Sequence, residues 1–455
     1  PDTPILIRRN GKIERTTIGE LAEESFEEDE KYKEIEGVEI LSVDRESFKV
    51  EFKRVKNISR HRVRKIAEIK VENADTLKTS LNHSVIVLDE EGMLKSKEVR
   101  ELKEGDYLLS FVGEVEGSVK EIDISEYQPK RFIRLRSGRI VNPKVKVIFD
   151  KLRVNADVGY FLGAYLAEGC VGFRGNTSGQ VILSFGFPQE IQEVNKIRGI
   201  VENEFNLPTT LEKGFSGFDR SRNSSINLRI LNTQLARFFY DNFYLNEKKV
   251  AKFKKIPEFV YSLPKDLRLN ILKGYMNDGC GKWGKYVRYS SSSEHLRIDV
   301  AWLARITGLY SSIFEEEVRI DWFRGATYHK KDLLPAEIFI RFANRIKSKI
   351  RGNWRYLLRH NLYGKKSKLL SKKTAFKLLK MVEVSKLKEN EKKIFETLKK
   401  LVSSPLHVLK VKEVKVKDYD DWVYDVAVEN SEMFFGGKVP ILLHNSDARG
   451  IDVIR

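Results

Sequence analysis

Twice in this chain an apolar helical stretch carries a glycine in its middle and ends on an acid followed by Gly-Cys. The first copy is Val158-Gly159-Tyr160-Phe161-Leu162-Gly163-Ala164-Tyr165-Leu166-Ala167-Glu168-Gly169-Cys170. The second, 111 residues on, is Leu269-Asn270-Ile271-Leu272-Lys273-Gly274-Tyr275-Met276-Asn277-Asp278-Gly279-Cys280. Glycine inside a helix costs about 1 kcal/mol relative to alanine. The cost makes sense if the two helices pack backbone to backbone, where a side chain would hold them apart. Each copy is followed by a polar Ser/Gly/Arg-rich stretch that reads as a β-hairpin. A helix comes next in each case, Glu190 to Phe205 and Ser293 to Phe314. The pattern predicts a pseudo-twofold α/β domain of two αββα-like units within 131–340, with repeats at about 155–255 and 265–340. Close packing would set Glu168 beside Asp278, where the helices stop at Gly169 and Gly279. Two such carboxylates suit Mg²⁺, and such a centre can activate water for phosphodiester hydrolysis. One irregularity stands out. Gly163 to Glu168 is five residues but Gly274 to Asp278 is four, a difference of about 100° around a helix. Either the helix end adjusts locally, or the second acid is aimed away from the metal.

The rest of the chain has a different character. Ile5-Leu6-Ile7, Val38 to Leu41, Phe48 to Phe52, Ala67 to Val71 and Thr79 to Val87 read as short strands, as does the stretch after the turn at Leu102 to Leu108. That character returns only at Trp422 to Val428, the turn Glu429-Asn430-Ser431, and Val439 to Leu443. Two β-rich ends, 1–130 and 403–445, are therefore expected to form one all-β domain interrupted by the insertion. The net charge of +18 is unevenly spread. Residues 1–50 hold 8 Lys/Arg against 14 Asp/Glu, whereas residues 341–400 hold 20 against 4. The segment 341–402 reads as basic, mainly helical and suited to a polyanion, with Leu369, Leu370, Phe376, Leu378 and Leu379 available for a core face. Two cysteines argue against a disulfide framework or zinc finger. No apolar run reaches the roughly 18 residues of a membrane span, and the N-terminus lacks the order of a signal peptide. Rich Lys, Arg and Glu with few Cys and Met lean toward a thermophile's cytoplasm.

Ten residues before the last, His444-Asn445-Ser446 closes the apolar strand Val439-Pro440-Ile441-Leu442-Leu443. An Asn amide nitrogen can attack its own backbone carbonyl, forming a succinimide and releasing the downstream segment. The preceding His can move the protons, and the Ser after it is a hydroxyl nucleophile. A strand end with a turn-favouring Asn-Ser is the bland alternative.

Phe161 to Gly169 resembles the nine-residue motif of LAGLIDADG homing endonucleases, with Glu168 at the metal-binding acid. The resemblance implies Mg²⁺-dependent double-strand cleavage, with Glu168 and Asp278 as catalytic metal ligands. It implies DNA-facing strands carrying Arg174, Lys213, Arg220, Arg222 and Arg229 in the first half. Lys282, Lys285, Arg288, Arg319, Arg324, Lys330 and Lys331 would serve in the second. Alternating Arg and Lys on strands can reach phosphates and guanine edges.

The chain ends are similar to the blocks of an intein, a protein-splicing domain of the Hint (horseshoe) type. Pro1 to Ile7 resembles the block near the intein start, and Ser80-Leu81-Asn82-His83 the Thr-x-x-His block with Ser for Thr. Trp422 to Phe435 resembles the penultimate block, with Asp425 at its acid. Val439 to Ser446 resembles the terminal block, which makes 446–455 host (extein) residues. The resemblance implies self-excision without cofactor. His83, aided by Ser80, strains the N-terminal scissile amide; Ser446 takes over the acyl group with Asp425 assisting; Asn445 cyclises with help from His444. There are two departures from the family pattern. Pro1 has no thiol or hydroxyl, so the chain as written is expected to cut at Asn445 but not to splice. Glu432-Met433 stands where the penultimate block often carries His-Asn, which shifts proton transfer to His444 and Asp425. The whole reads as a monomeric intein with an inserted nuclease whose partners are host flanks and double-stranded DNA at the insertion site. Its alternative is a splicing domain whose nuclease has decayed to a DNA-binding module.

Overall fold

The computed structural model describes residues 1–27, 30–72, 76–128, 133–134, 140–141, 149–174, 178–214, 224–246, 248–276, 282–283, 286–322, 330–363 and 368–445. It falls into two compact units. One holds Pro1–Val115, Ala304–Phe314 and Arg319–Arg455, the other Glu116–Leu303 and Glu315–Val318. Among the described residues, no helix is long and apolar enough to cross a membrane.

The first unit is built on two long strands, Val50–Val71 and Leu406–Val428, drawn from opposite ends of the sequence. They pair antiparallel from Val428↔Val55 to Val411↔Val71, with register shifts at Val411/Glu413, Asp418/Asp421 and Ala427/Val428. Bulges of this kind bend a strand and sharpen its twist, which lets one pair serve two sheet regions. The strand order is Lys12–Thr17, Pro4–Arg9, Val38–Val43, Val50–Val71, Leu406–Val428, Tyr107–Phe111, Ile441–His444, Ser84–Leu88, Leu94–Glu98. Met433–Gly436 pairs with both Pro4–Arg9 and Ile441–His444. First and last strands therefore meet in one sheet. Leu6, Ile40, Val55, Leu109 and Leu442 lie in the core, where Phe111 meets Phe435 at 4.7 Å between ring centres. The stretch Thr79 to Val87, read as one strand, is two: Thr76–Ser80 and Ser84–Leu88 are separated by a turn. The His83 amide bonds back to the Ser80 carbonyl at 3.3 Å.

The basic segment contributes helices Ala336–Arg345, Trp354–His360, Lys372–Lys380 and Glu389–Ser403 to this unit. Leu369, Leu370, Leu378 and Leu379 are buried as expected, but Phe376 is exposed. The reason is helical phase. Ala375, Leu378 and Leu379 share one stripe, and Phe376 lies beside it under the Lys380 ammonium, 4.6 Å from its ring centre.

In the second unit, helices Ala156–Glu168 and Lys265–Tyr275 cross in close contact. Asn155 starts the first by accepting from the Val158 amide at 2.9 Å. A β-carbon on Gly163 would overlap the Ile271 carbonyl oxygen and lie 2.8 Å from the Tyr275 nitrogen. One on Gly274 would overlap the Tyr160 carbonyl and lie 3.0 Å from the Ala164 nitrogen. Both glycines are there because the backbones touch. Gly169 is not a left-handed cap: its backbone is extended and passes straight into strand Gly169–Arg174. The antiparallel sheet beyond it runs Gly169–Arg174, Ser178–Gly186, Ser225–Ile230, Thr209–Gly214, backed by helices Ile191–Phe205 and Thr233–Phe243. The second copy continues with strands Lys282–Trp283 and Tyr286–Ser290, then helix Glu294–Ile306.

Candidate functional site

The first unit contains a cavity of about 1030 Å³ whose lining includes Pro1, His61, Ser80, His83, Asp425 and Leu443. Each arrives by a local route. Ser80 ends its strand and His83 occupies the turn after it. Asp425 sits on the long strand, buried, one Oδ accepting from the Val426 amide at 2.8 Å. Its other Oδ lies 3.9 Å from His83 Nδ1, within ion-pair reach. Pro1 is held by its carbonyl, which accepts from the Gly19 amide at 2.9 Å. A β-carbon on Gly19 would come within 2.9 Å of the Pro1 Cα, so glycine is needed at the start of this short helix.

Burial pushes the His83 imidazole down to about 4, from an ordinary value of about 6.5. It is neutral at physiological pH, able to accept a proton but unwilling to hold one. The unfolded chain binds that proton below about 6.5, whereas the folded chain does so only near 4. The stability contributed by neutral His83 is therefore complete above about 6.5 and lost as pH falls toward 4, an upper bound of about 3 kcal/mol. Denaturant melts across that window should show the loss, and His83→Asn should flatten it.

His444 ends strand Ile441–His444, opposite Met433 on one side and Ser84 on the other. Asn445 is 3% exposed. Its backbone amide donates to the Glu432 carbonyl at 3.0 Å, while its side-chain Oδ1 is buried and accepts no hydrogen bond from the described residues. A buried acceptor left unpaired asks for an explanation. Ser446 lies outside the described residues.

The family described as the intein splicing domain matches residues 6–445. The chain belongs to the intein splicing-domain family. It is 46% identical over 466 residues to a replication factor C small subunit of Methanocaldococcus jannaschii, covering 100% of this chain and 24% of that protein. It is 28% identical to the replication factor C small subunit of Methanopyrus kandleri, covering 100% of this chain and 49% of that protein. The intein thus spans between a quarter and a half of the length of these relatives. Among solved structures, a transcription factor IIB mini-intein is similar with TM-score 0.22 and 28% identity, over 25% of this chain and 68% of that one. I-DmoI in complex with DNA and Mn is similar with TM-score 0.28 and 14% identity, over 37% and 90%.

Three groups take places that the sequence did not show. His61 faces Val423 across the long strand pair, and Ser59 faces Asp425; His61 and Asp425 are therefore diagonal neighbours on one face. The His61 Nδ1 is buried without a hydrogen bond. Burial pulls its titration down, with Asp425 opposing. Glu432, which by sequence is a weakening departure from the penultimate block, sets its carboxylate 3.7 Å from His444 Nε2. In the second unit, buried Lys254 donates to the Tyr165 and Leu166 carbonyls at 3.1 and 2.9 Å, at the end of the first motif helix. Burial lowers its ammonium to about 8, opposed by Glu168. Only the His61 alternation on a strand was a readable signal.

Glu168 is half-buried at the last turn of its helix, on a small cavity it shares with Glu190, Glu193 and Gly274. Glu193 is engaged by the Tyr160 hydroxyl at 2.8 Å and Glu190 by the Gly186 amide. Asp278 lies outside the described residues. Among the described residues, no group of three or more His, Cys, Asp or Glu could hold a metal ion.

The basic residues divide by face. Arg174 and Arg229 lie on the open face of the first sheet, in step with Gln180 and Ile182. Lys213 pairs with buried Ile226 and so projects from the opposite face, its ammonium 4.4 Å from the Phe187 ring centre. Lys213 and Arg229 thus lie on opposite faces, because strand periodicity is two. Glu212 intrudes on the open face and is ion-paired with Arg229. Arg288 is 3.8 Å from Glu317, and Arg319 stacks on Phe314 at 4.3 Å. Lys331 belongs to the first unit and donates to the Gly308 carbonyl at 3.0 Å, so it is not part of the second unit's sheet. The side chains of Lys282 and Lys330, and all of Arg220, Arg222, Lys285 and Arg324, lie outside the described residues.

Proposed function

We propose that the intein to which this chain belongs excises itself from a longer host protein, its first acyl shift needing a thiol or hydroxyl that Pro1 does not supply, and that its second unit is a site-specific DNA endonuclease. The observation that carries the splicing half is the cavity in which Pro1, His83, Asp425 and Leu443 meet. An acyl transfer would need both junctions brought to the His83–Asp425 pair, which lines this cavity. His83 takes and returns a proton at the N-terminal scissile nitrogen, with the Ser80 hydroxyl alongside. Asp425 assists transfer of the acyl group to Ser446. Asn445 then closes on its own carbonyl while His444 moves the protons. The similarity over 100% of this chain within longer replication factor C small subunits supports a host of that kind, with residues 446–455 as its continuation.

For the endonuclease, the support is the pair of glycine-packed helices, with Glu168 at the end of one. Glu168, together with Asp278, would hold Mg²⁺, which polarises the scissile phosphate and activates water. Arg174, Arg229 and Arg288 would face the DNA as members of the sheets, and the basic 341–402 segment would add phosphate contacts. The test is incubation with Mg²⁺ and duplex DNA carrying the uninterrupted host gene. Double-strand cleavage at the insertion site is expected. Glu168→Gln should reduce it by at least about a hundredfold while binding persists. Salt-sensitive binding without cleavage would favour the decayed nuclease instead.

A further inference from the structure

Glu432 occupies a backbone conformation that glutamate seldom adopts. Its φ is +53°, in the left-handed region, where Gly, Asn and Asp are the usual occupants. Asn430, two residues earlier, has φ +57° and suits its place; Glu432 does not. Left-handed non-glycine residues persist where the surroundings hold them, and they concentrate at functional sites.

The surroundings here are specific. The Glu432 carbonyl accepts the Asn445 amide at 3.0 Å, while its carboxylate reaches 3.7 Å from His444 Nε2. One residue therefore touches both members of the cleavage pair, by its backbone and by its side chain. The turn beneath is fixed. Arg45 reaches the Glu432 carboxylate at 3.3 Å and donates to the Ser431 carbonyl at 3.2 Å. The buried Ser431 hydroxyl bonds Ser42 at 2.8 Å and the Val43 carbonyl at 3.0 Å. The charged and titratable groups facing His444 are Glu432 and Asp425, which favour its protonated form, and Arg45 and His83, which oppose it. Burial, the largest influence, draws the imidazole below its ordinary value.

We propose that Glu432 is the positioning residue for cleavage at Asn445, holding the His444 imidazole in place and stabilising its protonated form. The proposal rests on the reading of Asn445 as the cleaved residue. In the step itself, Asn445 Nδ2 bonds to its own carbonyl carbon and the bond from that carbon to the Ser446 nitrogen breaks. The His444 imidazolium gives a proton to the departing nitrogen, and the proton shed by Nδ2 returns to the imidazole. The products are a succinimide and the free amine of Ser446, with no net gain or loss of protons. Glu432 touches no reacting atom; it acts through His444.

The test uses the Pro1–Arg455 chain, tracking release of Ser446–Arg455 by mass spectrometry from about pH 5 to about pH 9. Loss of the carboxylate lowers the proton affinity of His444, so the alkaline limb of the rate profile should move to lower pH. Glu432→Gln and Glu432→Gly should each slow release about tenfold on that limb, and Glu432→Asp should restore most of it. Glu432→Gly should also keep the melting temperature, because its backbone suits glycine. Unchanged rate and limb in both variants would overturn the proposal. Slowing with an unmoved limb, in step with a lowered melting temperature, would overturn it too, by making the role merely structural. If the unaltered chain released nothing, or Asn445→Ala released the peptide equally well, the Asn445 reading would fall and the proposal with it.

Discussion

Asn445→Ala is expected to abolish release of the Ser446–Arg455 peptide, by at least about a hundredfold and in practice to below detection. The side chain removed is itself the nucleophile, so no neighbour can substitute for it. The structure makes the expectation sharper than chemistry alone would. Asn445 is 3% exposed, its backbone is pinned to Glu432, and its Oδ1 is buried without a partner among the described residues. Alanine keeps the backbone hydrogen bond and relieves the unpaired acceptor, so the variant should be no less stable than the parent. Loss of cleavage with an undiminished melting temperature is the signature to look for. Undiminished release by mass spectrometry would remove cyclisation from the mechanism.

The second large effect belongs to the helix pair of the other unit. Gly163→Leu is expected to destabilise that unit by about 3 kcal/mol or more, at the upper end for overpacking. Most overpacked cores recover by moving a side chain. Here the added β-carbon meets the Ile271 carbonyl and the Tyr275 nitrogen, so only separating the two backbones gives relief. Gly274→Leu should behave alike, against Tyr160 and Ala164. Gly199 provides the opposite sign. It lies inside helix Ile191–Phe205, and a β-carbon there meets nothing within 4 Å. Gly199→Ala should stabilise by up to about 1 kcal/mol. Thermal melts of the three variants decide the matter. Equal behaviour of Gly163 and Gly199 variants would mean that the two helix backbones do not touch.

How much of the fold and site was legible depends on the range of each interaction. Gly163 and Gly274 were readable as a backbone contact because a helix does not carry internal glycine without cost. The strands at Ile5 and Val38 were readable from alternation or short apolar runs, and the shared domain of the two chain ends from the recurrence of β character. The turn inside Thr79 to Val87 was not, since Leu81-Asn82-His83 interrupts the pattern for too few residues. Phe376 was misplaced by one step of phase, a distinction no composition carries. Glu432 was hard to read for another reason. Against a resemblance, a carboxylate in place of His-Asn looked like a loss. Only the strand pairing of Met433 with His444 brings it beside the imidazole. Lys254 depended on tertiary neighbours altogether.

The long antiparallel pair has a consequence in time. Val50–Val71 cannot find its partner until Leu406–Val428 exists, and His83 has no Asp425 beside it until then. A chain grown from its N-terminus carries the first half of its reaction centre, inert, through the synthesis of more than 300 residues. The loop to be closed is long, but the entropic cost of closing it rises only with the logarithm of its length. Folding is slowed more than stability is lowered. The pairing of these two strands thus acts as a clock. On the proposed mechanism, cleavage that depends on the His83–Asp425 pair waits until the ribosome has passed the whole insertion.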